Sequence, residues 1–166
     1  MLAIQRLLRH ALYTRSHMQR RFPVATSKAI EAAIADSETR HRGQIRVAIE
    51  AALSPAQVVA HLTPQQRALD VFSQLRVWDT EENTGVLIYL LLADRAIEII
   101  ADRGIHAKTG QAPWDAITQS IQDAFAQDHY DQGALAAIAA AGMLLERDFP
   151  ASGPNPNEQP DNVTML

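Results

Sequence analysis

The chain has 166 residues, the length of one ordinary domain, and a formal net charge of -4. Hydrophobic residues make up 47% and charged residues 20%, a composition typical of globular rather than disordered proteins. The sequence contains no cysteine, which excludes disulfides, thiolate zinc sites and cysteine nucleophiles. This composition is consistent with a reducing compartment.

Neither a secretory signal nor a membrane span is expected. The first 21 residues contain five arginines among their apolar residues, so the uninterrupted apolar core of a signal peptide is missing. The longest uncharged apolar run, Gly133–Leu145, has 13 residues, whereas a membrane-spanning helix needs about 20. We therefore expect a cytoplasmic protein without a transmembrane segment.

The charge is distributed unevenly along the sequence. Residues 1–46 hold nine Lys and Arg against three Asp and Glu (+6), and residues 47–166 hold six against sixteen (-10). A basic segment of this kind can contact an anionic membrane or nucleic acid, or it can pack against the acidic remainder. We favour packing, because the basic residues do not share one clean helix face, and we expect no nucleic-acid partner.

The first half of the sequence predicts four helices, two before and two after one strand. The spacing of the apolar residues in Leu2–His17 is typical of an amphipathic helix, within an N-terminal segment of residues 1–24. A second helix is predicted over Ser27–His41, and the alternating segment Gln44–Ala52 predicts a strand with one polar side. Ser54 and Thr63 each open a capping box followed by proline, which indicates two further helix starts.

The second half predicts a β-hairpin followed by helices. Gly85–Ala93 is continuously apolar, as in a strand covered on both faces, and a tight turn leads to a second strand over Ala96–Ala101. Helices are predicted from residue 113 to 126 and from 131 to 147. The fold class is therefore α/β: a small mixed β-sheet of three to four strands, sandwiched between helices and preceded by an N-terminal helix. The compact domain is expected over residues 25–150, and the proline-rich tail, residues 151–166, is expected to be disordered.

This topology predicts two polar clusters at opposite edges of the sheet. At one edge, the start of the second strand and the end of the third should bring Asp79, Glu82 and Asn83 close to Asp102 and Arg103. Oxygen ligands of this kind suit Ca²⁺ or Mg²⁺, and a solvated acidic loop is the alternative interpretation. The other edge should collect the following residues: Glu50, Asp94 and Arg95. For the last two, a simple hairpin turn is the alternative.

Several segments, in this order, resemble the TPM-domain family. They include Gly43–Ala48, Arg67 to Trp78, Glu82–Tyr89 and Glu98–Ile105, and the similarity extends over roughly residues 27–150. The chain is most similar to stand-alone bacterial members that lack the export signal and the membrane anchor. Thr84 replaces the asparagine that members usually have before the Gly-Val-Leu strand.

The resemblance implies two alternative functions. Some members are associated with divalent-cation binding and an acid-phosphatase-like activity, and others act as accessory factors of membrane complexes. The first would place Ca²⁺ or Mg²⁺ on Asp79, Glu82, Asn83 and Asp102, with Arg103 binding a phosphate ester; no catalytic nucleophile or base is identifiable. We favour the second: an interaction module with a divalent-cation site, cytoplasmic and peripheral to the inner membrane, that binds a membrane-associated protein.

Overall fold

A computed structural model describes residues 2–166, with side chains from residue 4 onward, so Met1 of the predicted N-terminal segment lies outside the described residues. The eight α-helices in this range are α1 (Leu2–Leu12), α2 (Arg15–Arg21), α3 (Val24–Glu38), α4 (Pro55–Val59), α5 (Pro64–Gln74), α6 (Arg103–Thr109), α7 (Ala112–Ala126) and α8 (Tyr130–Asp148). The four strands are β1 (Gln44–Glu50), β2 (Gly85–Leu91), β3 (Ala96–Ala101) and β4 (Thr164–Met165).

The strands form one mixed sheet in the order β3-β2-β1-β4. β1 pairs in parallel with β2 and with β4, and β2 pairs antiparallel with β3. All seven residues of β2 are buried, as the unbroken apolar run predicts for a central strand. The predicted α/β fold with a small mixed sheet and an N-terminal helix is confirmed.

The sheet is covered on both faces. On one face Ile45, Val47 and Ile88 pack with side chains from α3, α7 and α8. On the other, Leu87 and Tyr89 pack with α4 and α5. The capping boxes predicted at Ser54 and Thr63 are present, each with reciprocal hydrogen bonds to a glutamine three residues on. They fix where α4 and α5 begin.

Three helix boundaries differ from the sequence-based expectation. The helix predicted over Leu2–His17 is two helices, because the chain breaks after Leu12 and Thr14 then caps α2. The second helix begins at Val24 and ends at Glu38, three residues earlier at each end than expected. The unpredicted α6 begins at Arg103 and is capped by Asp102, whose carboxylate accepts the Arg103 N–H.

The tail also differs from expectation, because residues 159–166 lie against the edge of β1 instead of being disordered. The Arg46 guanidinium donates to the Pro160 carbonyl and to the Thr164 hydroxyl, both at 2.9 Å. The Leu166 N–H donates to the Ile49 carbonyl, which closes the ladder between β1 and β4. The docking of the tail could not be predicted from its low apolar content, because backbone and guanidinium hydrogen bonds hold it rather than apolar contacts.

Deleting residues 159–166 should destabilise the fold and promote self-association. Arg46 is almost fully buried, so it would lose two charge-assisted hydrogen bonds, and we expect a loss of about 3 kcal/mol in the free energy of unfolding. The β1 edge would also become available to another chain. Urea denaturation and concentration-dependent gel filtration measure the two effects. Thr164→Val, which removes one bond, is the control and should cost about 1 kcal/mol without association.

The basic first part of the sequence packs against the acidic remainder, as favoured above. Ion pairs connect the two parts at Arg6–Asp94, Arg9–Asp94, Arg21–Asp128, Arg40–Glu146 and Arg42–Glu82. Much of the local positive charge is therefore neutralised within the molecule.

Candidate functional site

The acidic edge, defined as Asp79, Glu82, Asn83, Asp102 and Arg103, lies where β2 begins and β3 ends. The Asp102 N–H donates to the Gly85 carbonyl at 2.9 Å, and Arg103 Nε donates to Asn83 Oδ1 at 2.9 Å. A Cβ added to Gly104 would lie 2.6 Å from the carbonyl oxygens of Glu82 and Asn83. The hairpin thus brings these two segments together, although they are about 20 residues apart in sequence.

Within this edge the side chains have different environments. Asp102 is 7% exposed; its Oδ1 accepts the Arg103 N–H at 2.7 Å, whereas its buried Oδ2 has no hydrogen-bond partner. Glu82 forms an ion pair with Arg42, and Asp79 is exposed to solvent. From residue 4 onward, no group of three or more His, Asp or Glu residues is arranged to hold a metal ion. Among the four predicted metal ligands, Asp102 is therefore the one with a buried oxygen atom that has no hydrogen-bond partner.

At the opposite edge, Glu50 points into a buried cluster beside the sheet. It accepts hydrogen bonds from the Tyr89 hydroxyl at 2.6 Å and from Arg67 Nε at 2.8 Å. Burial, together with the Glu50 carboxylate, raises the pKa of Tyr89, which keeps the phenol protonated as a donor. Because every group in this cluster is satisfied by another, we assign Glu50 a structural role.

Asp94 binds the N-terminal helix. Its carboxylate accepts hydrogen bonds from Arg6 at 2.7 Å, from Arg9 at 2.7 Å and from His10 Nε2 at 3.0 Å. His10 is itself buried, and its Nδ1 accepts the Leu53 N–H at 2.9 Å. With Nδ1 as an acceptor, Nε2 must carry the proton that it donates to Asp94. Asp94 therefore fixes α1 on the domain through three side chains of one helix face.

Arg95, predicted beside Glu50 and Asp94, faces a different element. It adopts a left-handed backbone conformation (φ 51°) at the hairpin turn and pairs with Asp128, which follows α7. The structure therefore brings the backbones of Glu50, Asp94 and Arg95 to one edge of the sheet, but their side chains bind separate partners. They do not form one shared site.

The position of Asp94 has a consequence for the outer face of α1. With Arg6 and His10 turned inward, the apolar residues at positions 4, 8 and 12 point away from the domain. We call them the N-terminal stripe: Ile4, Leu8 and Leu12, which are 65%, 59% and 71% exposed. Isolated exposed apolar residues are common, but a row along one helix indicates an interaction surface.

A shallow apolar groove adjoins this stripe. It has a volume of about 200 Å³, lies between α1 and α4, and is lined by Ile4, Leu7, Val58, Val59 and His61. Val59 is 68% exposed and continues the apolar surface onto α4. The stripe and the groove together form one continuous surface, which we call the N-terminal surface.

The attachment of α1 should weaken in acid. Burial alone would raise the pKa of Asp94, but the hydrogen bonds from His10 and Arg6, together with the charge of Arg6, outweigh it and hold that pKa well below its usual range. A depressed folded-state pKa contributes stability that is present above the unfolded value, about 3.9, and is lost as the pH falls below it. We expect proteolysis within α1 to accelerate below about pH 4. In Asp94→Asn, the rate should be high already at pH 7 and change little between pH 7 and 4.

The sequence indicated an amphipathic N-terminal helix and identified Asp94, but it did not show that the two are in contact or which side of α1 is exposed. The spacing of Arg6, Arg9 and His10, at i, i+3 and i+4, was the available signal, because these residues lie on one helix face. Without the fold, nothing in the sequence indicates that this face turns inward.

Comparisons with known proteins agree with this architecture. The family model described as TPM domain matches residues 19–144. The NMR structure of BA42 protein from the psychrophilic bacterium Bizionia argentinensis superimposes with a TM-score of 0.75 and 32% sequence identity, covering 86% of this chain and 93% of that one. No protein with curated annotation matches the chain. Among the helices described, none combines the length and apolar content needed to cross a membrane.

Proposed function

The chain belongs to the TPM-domain family, and we propose that it serves as an accessory module that binds a membrane-associated protein through its N-terminal surface. The observation that carries this proposal is the orientation of α1. Its basic face is occupied by Asp94, and its apolar stripe is exposed. An apolar helix face held outward by ion pairs is available to a partner without any rearrangement of the domain.

The partner that fits best is an amphipathic helical segment. Its apolar side chains would enter the groove between α1 and α4, as in other helix-in-groove complexes. Arg9, whose side chain is half exposed, flanks the stripe and favours an acidic residue beside the apolar face of the partner. The chain would then reach the membrane through a protein rather than by inserting into lipid.

Site-specific photo-cross-linking tests this function. A benzoylphenylalanine at Leu8 should cross-link to a membrane protein in a membrane extract, and the matched probe at Met143, 67% exposed on α8, should not. Mass spectrometry identifies the cross-linked segment, and its synthetic peptide should bind the wild type but not Leu8→Gln. Cross-linking to lipid alone, or equally from both positions, would contradict the proposal.

We further propose that the acidic edge binds a divalent cation through Asp102. Its Oδ2 is buried without a partner, a condition that a bound cation would relieve, and the carbonyls of Glu82 and Asn83 lie beside Gly104, two residues further along the chain. Oxygen ligands of these types suit Ca²⁺ and Mg²⁺. One carboxylate and its neighbouring backbone carbonyls would hold the ion, because Glu82 is paired with Arg42.

Calorimetric titration with Ca²⁺ and with Mg²⁺ tests this site. Binding should be detected with the wild-type chain and weakened at least tenfold in Asp102→Asn, because the amide oxygen carries no charge. Asp131→Asn, an exposed residue in the first turn of α8, is the control. Absence of binding, or equal affinity in Asp102→Asn, would show that this edge holds no cation.

A cation-dependent hydrolase of phosphate esters is the alternative function, and it depends on the same site. Arg103 is exposed and follows Asp102 directly, so it is placed to neutralise a phosphate group. A bound cation would polarise the ester as a Lewis acid. Hydrolysis of p-nitrophenyl phosphate that requires Ca²⁺ or Mg²⁺ and is lost in both Asp102→Asn and Arg103→Gln would support this alternative. Activity unchanged in Asp102→Asn would exclude this site.

A further inference from the structure

A second acidic cavity lies beside the last turn of α3, apart from the acidic edge. It has a volume of about 340 Å³ and is formed between α3 and the tail. Its lining combines polar and apolar residues, among them Glu38, Asp161, Ala35 and Pro154. The segment at Pro154 and Asn155 separates this cavity from another one that is lined by Glu81 and Glu82.

Glu38 is the central group of this cavity. The residue is only 5% exposed, and its Oε1 accepts the Ile45 N–H at 2.7 Å. Its other oxygen, Oε2, makes no hydrogen bond with any side chain or backbone group in the described range. Because Oε2 is not among the enclosed polar atoms that lack a partner, it is the part of this nearly buried side chain that reaches the cavity. The cavity therefore presents one accessible carboxylate oxygen, held in place by the hydrogen bond of Oε1 to Ile45.

Asp161 adds a second negative charge to the same cavity. Burial, opposed by the hydrogen bond from the Ile45 N–H and assisted by the neighbouring Asp161 carboxylate, raises the pKa of Glu38 to about 8. Arg46, on β1, interacts favourably with Asp161, but it is hydrogen bonded to the tail and forms no ion pair within 4.0 Å with any described carboxylate. The groups that face Glu38 thus leave it uncompensated by a cation.

The size and lining of the cavity distinguish between classes of cation. No group of three or more His, Asp or Glu residues in the described part of the chain is arranged to hold a metal ion. The two carboxylates of this cavity, Glu38 and Asp161, are therefore too few for a metal site of that kind. The volume is roughly ten times the space of about 30 Å³ that one water molecule occupies. Ala35 and Pro154 add an apolar wall, which suits carbon atoms. These features favour an organic cation with a short alkyl chain.

We propose that this cavity binds a primary alkylammonium ion, whose N–H groups donate to Glu38 Oε2 and to the Asp161 carboxylate while its alkyl chain contacts Ala35 and Pro154. Binding requires Glu38 as the carboxylate, so each bound ammonium ion displaces the Glu38 proton to solvent at neutral pH. The ligand class is small amines and diamines, and a lysine side chain of another protein presents the same group.

Isothermal titration with n-butylammonium and with 1,4-diaminobutane tests this site. We expect binding by the wild-type chain, at least tenfold weaker binding by Glu38→Gln and by Asp161→Asn, and no change in Asp123→Asn, an exposed residue on α7. The Glu38→Gln side chain keeps an oxygen acceptor for the Ile45 N–H, so this variant should fold normally. Repeating the titration at pH 7 in buffers of different ionisation enthalpy should show proton release by the wild type and none by Glu38→Gln.

Three results would overturn the assignment. The first is the absence of amine binding to the wild type, and the second is equal affinity in Glu38→Gln. The third is that tetramethylammonium, which has no N–H donor, binds as tightly as n-butylammonium. If Ca²⁺ or Mg²⁺ binds in a Glu38-dependent manner and amines do not, the cavity is a metal site and the organic assignment is wrong.

Discussion

Replacing Asp94 by alanine should detach α1 from the domain. The substitution removes the acceptor of Arg6, Arg9 and His10 together, and it leaves the nearly buried His10 without the partner of its Nε2 proton. Breaking a buried, hydrogen-bonded charge pair typically costs about 3–5 kcal/mol, and we expect the docking of α1 to lose an amount in that range. The core of the sheet should stay folded, because the hydrogen bonds described for the Asp94 carboxylate all come from α1.

Hydrogen exchange measures this effect directly. Amide protection in α1 should fall by two orders of magnitude or more in Asp94→Ala, since each 1.4 kcal/mol corresponds to about a tenfold change, while β1 and β2 keep their protection. Asp123→Ala, an exposed aspartate on α7, should leave α1 unchanged. Normal protection of α1 in Asp94→Ala would show that apolar contacts, rather than this carboxylate, hold the helix. Cross-linking from Leu8 to the partner should be lost together with the protection.

Replacing Gly85 by alanine should prevent stable folding. An added Cβ would lie 1.9 Å from the Val77 carbonyl oxygen, a distance at which the backbone itself must move. Gly85 is the first residue of the central strand, is paired with Gln44 of β1, and has its carbonyl bonded to the Asp102 N–H. Gly85 cannot shift without breaking the sheet, and Val77 is fully buried in the core, so we expect a loss of about 4 kcal/mol or more in the free energy of unfolding.

Urea denaturation quantifies this loss. Gly153→Ala is the matched control: nothing lies within 4 Å of an added Cβ there, so its stability should stay within about 0.5 kcal/mol of the wild type. A Gly85→Ala chain that unfolds at the wild-type urea concentration would mean that Val77 and Gly85 are further apart in solution than in the structure.

Much of the fold follows from local sequence signals. The alternation in β1 predicts a strand with one apolar side, and the continuous apolar run of β2 predicts a strand buried on both faces. The two capping boxes mark where helices begin. The break after Leu12 and the helix α6 were missed, since short helices carry little periodicity. The strand β4 was missed for a different reason: its docking depends on Arg46, a residue more than 100 positions away.

The candidate sites were less predictable than the fold. The proximity of Asp102 to Asn83 follows from the hairpin alone, so topology was sufficient to predict it. The outward direction of the N-terminal stripe depends on tertiary contacts of Asp94 with α1, and the burial of Glu38 depends on the tail that covers it. Neither contact leaves a local pattern in the sequence.

The exposure of Leu8 on α1, and its burial by a partner, can be tested most directly by thiol labelling. Because the chain has no cysteine, Leu8→Cys and Met143→Cys each introduce a single thiol. We predict rapid maleimide labelling of both positions in the free protein, and at least tenfold slower labelling of position 8 alone in a membrane extract that contains the partner. Slow labelling of position 8 in the free protein, or equal protection of both positions in the extract, would contradict this role of α1.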